Sequence, residues 1–70
     1  MTSIKNFILN GQHYHTESDL TILDLINYFN YNTSLLVLEY NNSVCNKNNW
    51  TNIYIKDQDK IEVVTIVGGG

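Results

Sequence analysis

The dipeptide Asn10-Gly11 constrains the fold of this chain more than any other feature. It separates two β-rich runs, residues 4–9 and residues 12–16. Asn and Gly both accept the positive φ of a type I′ turn, so this arrangement predicts a two-residue β-hairpin. We place its strands at residues 3–9 and 12–17.

One helix is predicted after the hairpin. Thr21 is a suitable N-cap residue, and Asp24 lies in the first turn, where the helix dipole favours negative charge. Apolar residues then recur at helical spacing: Ile22, Leu25, Ile26 and Phe29, with Leu23 broadening the stripe. Residues 30–33 are poor helix formers, so we expect the helix to end there.

The second half of the chain reads as strands joined by turns. Residues 35–40 form a nearly continuous apolar run, which predicts a strand buried on both faces. The remaining expectations are a turn at 41–42, a short strand at 43–45, a loop at 46–49, a short strand within 50–55, a turn at 57–59 and a last, most apolar strand at 60–67. This order predicts an α+β fold with the helix packed across one face of the sheet.

Composition limits the partners and the compartment. The 70 residues include four Lys, no Arg and seven carboxylates, for a net charge of −3. The chain therefore lacks the basic cluster that binds nucleic-acid phosphates, and a protein partner with a basic face fits it better. We see no secretory signal and no apolar run of the roughly 18 residues that span a membrane. Abundant Asn and Ile, with no Ala or Pro, indicate an AT-rich genome such as a plastid's, so we expect the cytoplasm or the plastid stroma.

Few side chains offer chemistry. His13 and His15 lie two apart on a predicted strand and therefore share a face, but a zinc site needs three or four ligands, so we interpret them as surface residues and predict no metal site. Cys45 is the one thiol; it cannot form an internal disulfide, and without a base to activate it we interpret it as structural. Asp57 and Asp59 are interpreted as turn residues.

Trp50 has two interpretations. It is the sole tryptophan and stands in a polar neighbourhood. Tryptophan is enriched both in protein cores and at the centres of interfaces, so Trp50 either anchors the core or contacts a partner. The core role is favoured, and the partner contact remains open.

The last three residues, Gly68, Gly69 and Gly70, suggest the function. Three terminal glycines have no side chains to pack and lose much conformational freedom when ordered, so they do not stabilise the fold. A chain end without side chains can, however, enter a narrow tunnel and present its terminal carboxylate to a partner's reactive group. A carboxylate becomes an acyl donor once it is adenylated. We therefore divide the chain into a domain at 1–67 and a flexible tail at 68–70. The alternative is an idle terminus.

Taken in order, these motifs resemble the ThiS family of sulfur carriers in thiamine biosynthesis. The matching segments are Asn10-Gly11, Thr21-Ile22 with Leu25-Ile26, Val37-Leu38-Glu39 with Asn41, Trp50, the run from Asp57 to Val64, and the ending Val67-Gly68-Gly69-Gly70. The resemblance covers nearly the whole chain. Two positions depart from the family pattern: Asn46-Lys47 replaces a Pro followed by a basic residue, and Gln58 replaces a turn Gly.

The resemblance implies a β-grasp fold, a mixed sheet of four to five strands whose first and last strands are central and parallel. It also implies that an E1-like, ThiF-like enzyme adenylates Gly70 with Mg-ATP, and that a persulfide then converts Gly70 to a thiocarboxylate. A ThiG-like thiazole synthase would receive the sulfur. Gly68 and Gly69 would give access, and the chain would be a cosubstrate with no bound cofactor rather than an enzyme.

Three other functions stay open at this point. A molybdopterin-synthase small subunit shares the fold and the thiocarboxylate chemistry. A ubiquitin-like modifier would form isopeptide bonds with target lysines. An interaction module with an idle tail would need no chemistry at all.

Overall fold

A computed structural model describes residues 3–66 of the chain as five strands, one α-helix and two 3₁₀ turns. The strands are β1 (Lys5–Leu9), β2 (Gln12–Thr16), β3 (Leu36–Tyr40), β4 (Ser43–Cys45) and β5 (Asp59–Thr65). The helix α1 spans Ile22–Tyr28, and the 3₁₀ turns span Thr33–Leu35 and Lys47–Asn49. No helix in this part of the chain is long enough to cross a membrane.

All five strands form one mixed sheet in the order β2-β1-β5-β3-β4. β1 and β5 run parallel, with Phe7 opposite Asp59 and Leu9 opposite Ile61, and the other three pairings are antiparallel. The last strand is therefore the middle one and the first strand lies beside it. This is the β-grasp topology that the resemblance implies, so the expected α+β fold is confirmed.

Both predicted hairpin turns are present. Asn10 and Gly11 have φ values of 50° and 79°, and Asn41 and Asn42 have φ values of 50° and 72°. Positive φ at both central residues gives the turn a twist that matches the twist of the flanking strands. Asn tolerates this conformation better than other non-glycine residues, which explains its use at three of the four positions.

The helix begins where the sequence predicts. Thr21 Oγ1 accepts a hydrogen bond from the Asp24 N–H at 3.1 Å, and the Asp24 carboxylate accepts one from the Thr21 N–H at 3.0 Å. This capping box satisfies two donors that a helix start leaves free. The helix ends at Tyr28, and Asn30 follows with a φ of 59°.

The core lies between α1 and one face of the sheet. Its buried residues are Phe7, Leu9, Ile22, Leu25, Ile26, Leu38, Trp50, Ile55, Ile61 and Val63. Side chains in this set come from the helix, from three strands and from the segment before β5. Among residues 3–66, no helix or loop covers the opposite face of the sheet, which therefore faces solvent.

Two expectations were wrong. Residues 50–55 form no strand and make one isolated bridge, between Tyr54 and Thr21. Their carbonyls serve the helix instead: Trp50 O accepts from the Leu23 N–H at 3.1 Å, and Ile53 O accepts from the Ile22 N–H at 2.9 Å. These bonds satisfy first-turn donors that have no partner inside the helix.

The second correction concerns β3, which was expected to be buried on both faces. Leu38 alone is fully buried there, and its neighbours along the strand are half-buried. The reason is that α1 covers one face of the sheet only, so Val37 and Glu39 lie on the uncovered face. A continuous apolar run cannot distinguish this arrangement from a strand covered twice.

A buried carboxylate ties the start of β5 to its neighbours. Asp59 is 5% exposed. Its Oδ2 accepts from the Tyr40 hydroxyl at 2.6 Å and from the Lys56 N–H at 2.7 Å, while Oδ1 accepts from Asn41 Nδ2 at 3.1 Å. Burial, followed by this contact with Asp59, raises the pKa of Tyr40, so the phenol stays protonated and donates. Asp59 is therefore a turn residue that also organises three segments.

We expect Asp59→Ala to lower the free energy of unfolding by about 2–3 kcal/mol, because it leaves donors without an acceptor in a buried place. The matched control is Asp19→Ala, which removes a carboxylate that is 85% exposed and paired with Lys5; its cost should be below about 1 kcal/mol. Chemical denaturation of the three proteins tests this. Equal losses for the two variants would contradict the role assigned to Asp59.

Candidate functional site

The candidate site is the end of β5 from which the glycine tail continues. Gly68, Gly69 and Gly70 lie outside the described residues, so their predicted roles stay predictions. The last described residue, Ile66, donates its N–H to Leu35 O at 2.6 Å, which carries the β3–β5 pairing one residue past the strand. The sheet therefore holds the chain as far as the last described residue.

Alternation along the strands gives the sheet two different faces. The covered face carries the core. The opposite face, called the outer face here, carries the residues that alternate with the core positions and their partners in register: Asn6, Ile8, His13, His15, Val37, Glu39, Val44, Lys60, Glu62 and Val64. It is broad, and no described element packs on it as α1 packs on the other face.

The part of the outer face nearest the tail is apolar. Val37 on β3 lies directly opposite Val64 on β5, whereas Val44 on β4 lies directly opposite Glu39 and only diagonally across from Val37. We call these three residues the valine patch. Val64 is 55% exposed and Val44 is 69% exposed, and Ile66, 51% exposed, extends the patch toward the tail. Exposed apolar side chains grouped in this way are typical of a docking surface.

Two carboxylates border the valine patch. Glu39 on β3 lies directly opposite Glu62 on β5, and both are half-buried. Like charges in directly opposite positions repel each other and destabilise a sheet. Lys60 Nζ approaches Glu62 Oε1 at 3.4 Å, which offsets part of this repulsion at one of the two groups. The pair therefore gives the border of the valine patch a negative charge.

Trp50 lies in the core. Its side chain is 2% exposed, and its Nε1–H donates to Cys45 O at 3.2 Å. The ring therefore anchors the loop between β4 and the segment before β5. Burial favours this core role over a partner contact, because a ring that solvent cannot reach presents almost no surface to another protein.

Cys45 has the environment of a structural thiol. Burial raises its pKa, and its Sγ lies 3.8 Å from Asn46 O. A raised pKa lowers the fraction of thiolate, which is the nucleophilic form. The interpretation of Cys45 as structural fits this geometry.

The remaining candidates lie on the surface. His13 and His15 are exposed on the outer face of the edge strand β2, and among residues 3–66 no three His, Cys, Asp or Glu side chains are grouped so that they could hold a metal. Asp57 Oδ1 accepts from the Asn6 N–H at 2.7 Å, which lowers the pKa of Asp57. Asp57 thus lies in the turn before β5, but its side chain ties that turn to β1 rather than bonding to the turn's own backbone.

No residue of the valine patch or of the Glu39–Glu62 pair is predicted from the sequence to be part of a site. The signal was present as alternation, since Val37 and Glu39 flank Leu38, and Glu62 and Val64 flank Val63. It was hidden because the apolar run at 35–40 was interpreted as buried on both faces.

Fold and site together define a small β-grasp protein whose central strand is the last one described and has one uncovered sheet face. The sequence pattern of the ThiS family matches residues 7–70, and the chain belongs to that family. A sulfur carrier protein ThiS from Bacillus subtilis (strain 168) is 32% identical over 63 residues, which cover 89% of this chain and 96% of that protein.

Two further similarities extend the comparison. A protein of Trieres chinensis described as uncharacterized protein ycf40 is 57% identical over 70 residues, which are 100% of this chain and 96% of that one. The crystal structure of a thiamine biosynthesis protein (ThiS) from Geobacter metallireducens superposes with a TM-score of 0.79 at 22% identity, covering 93% of this chain and 99% of that chain. At this identity the structural match supports the fold alone, and it agrees with the β-grasp topology.

The outer face yields a stability prediction. Glu39→Gln should raise the free energy of unfolding by about 0.2–1 kcal/mol, because it removes the repulsion from Glu62. Glu62→Gln should give a smaller gain, since it also removes the contact with Lys60. Denaturation at low salt and at 1 M salt measures both, and the gains should shrink at high salt, where charges are screened. A loss of stability in Glu39→Gln at low salt would refute the repulsion.

Proposed function

We propose that this chain is a sulfur carrier whose Gly70 carboxylate is activated and converted to a thiocarboxylate for thiazole formation in thiamine biosynthesis. The observation that carries the proposal is that the ThiS family match runs through the glycine tail to Gly70. The Bacillus subtilis relative is named a sulfur carrier protein, which supports the same chemistry.

The chemistry proceeds in three steps on Gly70. A ThiF-like adenylyltransferase with Mg-ATP joins the carboxylate to AMP and releases pyrophosphate. A persulfide sulfur then attacks the activated carbonyl carbon, and AMP leaves. A thiolate finally attacks the donor-side sulfur of the resulting acyl disulfide. A new disulfide forms between that thiol and the sulfur donor, the original sulfur–sulfur bond breaks, and its electron pair leaves on the thiocarboxylate, so the thiols supply the two electrons. A ThiG-like thiazole synthase receives the sulfur.

The chain acts in this scheme as a cosubstrate. Its Cys45 thiol has a raised pKa, which disfavours it as a sulfur carrier in place of the tail. Gly68 and Gly69 carry no Cβ, so they would let the terminus enter two different active sites. The sheet supplies a fixed starting point for the tail, and the partners supply the catalytic groups.

The outer face is the surface we propose for docking on the activating partner. The valine patch lies beside the strand end that leads into the tail, so a partner bound there is correctly placed to receive the tail. Glu39 and Glu62 would pair with basic residues on that partner. The net charge of −3 on this chain also favours a partner with a positively charged surface.

We place the protein in a plastid stroma or in the cytoplasm. Relatives named ycf40 in Trieres chinensis and Porphyra purpurea support the plastid, as does the AT-rich residue composition.

Intact mass tests the chemistry. Incubation with a ThiF-like enzyme, Mg-ATP and a persulfide source should raise the mass of the chain by the difference between one sulfur and one oxygen. The gain should be retained in Cys45→Ala and lost when Gly70 is removed. An enzyme that is active on its own carrier but gives no gain here would refute the sulfur chemistry for that pair. Isopeptide conjugates on a denaturing gel would instead indicate a modifier, and copurification with a molybdopterin-synthase large subunit would indicate that pathway.

Docking is tested by a charge reversal that should not harm the fold. Glu39→Lys places a positive charge opposite Glu62, so the folded chain gains stability, yet the KM of the adenylating enzyme for the carrier should rise about tenfold because a basic partner is now repelled. Val64→Asp should raise KM similarly. The matched control is Tyr28→Asp, at a helix residue that is 78% exposed and distant from the outer face in the fold; its KM should change less than about twofold. An unchanged KM in Glu39→Lys would exclude this face.

A further inference from the structure

Both hairpin turns direct an asparagine side chain at the central strand β5. Asn41, the first turn residue between β3 and β4, donates its N–H to Lys60 O at 2.8 Å, and its Oδ1 accepts from the Lys60 N–H at 2.8 Å. Asn10, the first turn residue between β1 and β2, donates its N–H to Ile61 O at 3.0 Å, and its Oδ1 accepts from the Val63 N–H at 2.7 Å. Each asparagine thus binds β5 from one side.

The two asparagines support opposite ends of β5. Asn41 binds Lys60, the second residue of the strand. Asn10 binds further along, at Ile61 and Val63, toward the end from which the tail continues. The two residues share a φ of 50° and the same type of side-chain acceptor, so they form a natural matched pair.

Asn10 extends the hydrogen bonding on the β1 side of β5 beyond the end of the β1–β5 ladder. The parallel ladder between β1 and β5 ends at the pair Leu9–Ile61, while the antiparallel ladder on the β3 side continues to Thr65. Within residues 3–66, the Asn10 side chain makes the last hydrogen bond that reaches β5 from the β1 side. Without it, the strand beyond Ile61 would be held along one edge only.

We propose that Asn10 is a positioning residue for the tail: its side-chain acceptor fixes the direction in which the end of β5 delivers the terminal glycines to a partner. A strand bonded on one edge can pivot about that edge, whereas bonds on both edges define its plane. This proposal rests on the proposed function, because direction matters only if the tail must reach a reactive group. Asn10 touches no reacting atom and acts through Val63.

The decisive comparison uses three variants. Asn10→Gly keeps the positive φ but removes the Oδ1 acceptor. Asn10→Asp keeps an acceptor for the Val63 N–H, and Tyr31, whose hydroxyl lies 3.4 Å from Asn10 Nδ2, can donate to the new carboxylate. Asn41→Gly removes the equivalent acceptor at the far end of β5 and also a donor to Asp59, so it should cost at least as much stability.

Amide hydrogen exchange, followed by NMR, reports on the strand end directly. In Asn10→Gly the exchange of the Val63 N–H should accelerate about tenfold relative to that of Val64, whose N–H points to β3 by the alternation of the ladder. The ratio should return toward the wild-type value in Asn10→Asp and stay unchanged in Asn41→Gly. An unchanged ratio in Asn10→Gly would overturn the proposal.

Kinetics of thiocarboxylate formation reports on positioning. For Asn10→Gly we expect kcat to fall about fivefold to tenfold with KM within about twofold, because the docking face is intact but the carboxylate reaches the reactive position less often. Asn10→Asp should restore kcat, and Asn41→Gly should keep it despite its lower stability. A kcat loss in Asn41→Gly equal to that in Asn10→Gly would show that general destabilisation is the cause, and would overturn the proposal.

Amide exchange and the kinetics of thiocarboxylate formation together distinguish a failure of this proposal from a failure of the proposed function. If the wild-type chain gains no sulfur with an active partner, the sulfur-carrier function fails, and a tail-positioning role for Asn10 in that reaction fails with it. The exchange ratio still decides whether Asn10 holds the end of β5. If the wild-type chain gains sulfur but Asn10→Gly keeps its kcat, the positioning role alone is refuted.

Discussion

The parallel pairing of β1 with β5 is the constraint on which the rest of this structure depends. It places the last strand in the middle of the sheet, between the first hairpin and β3. β5 is bonded to β1 as far as Ile61 and to β3 as far as Thr65, so the chain leaves the sheet from a central strand whose last residues are paired with β3. The core residues Ile61 and Val63 belong to the same strand, so the packing that stabilises the fold also fixes the last strand that the structure describes.

Local sequence signals account for most of the fold. Asn10-Gly11 and Asn41-Asn42 specify turns through their positive φ, and Thr21 with Asp24 specifies the helix start through a capping box. Each of these depends on residues a few positions apart, which is why they can be predicted from one sequence. The order of strands in the sheet came from the family resemblance, since no local rule pairs β1 with a strand some fifty residues later.

The features that escaped prediction are those that depend on distant parts of the chain. Residues 50–55 have strand-like composition, but their carbonyls are used by the helix start at Ile22 and Leu23. Asp59 looked like an ordinary turn residue, and its burial follows from Tyr40 and Asn41 in another hairpin. The valine patch exists because α1 covers one face of the sheet and leaves the other bare. Local propensity contains none of this information.

Two features destabilise the folded chain, the positive φ of Gln58 and the repulsion between Glu39 and Glu62, and only the second lies close to the proposed site. Gln58 has a φ of 72°, where a family glycine would be unstrained, yet it lies just before β5, at the end of the strand away from Ile66, so we assign it no functional role. The Glu39–Glu62 repulsion is different, because it borders the valine patch at the tail end of the outer face. This repulsion lowers the stability of the free chain. A basic partner that neutralises it would restore that stability in the complex. A cosubstrate that must bind, react and leave is well served by such a contact, since charge complementarity speeds association without requiring a large buried interface.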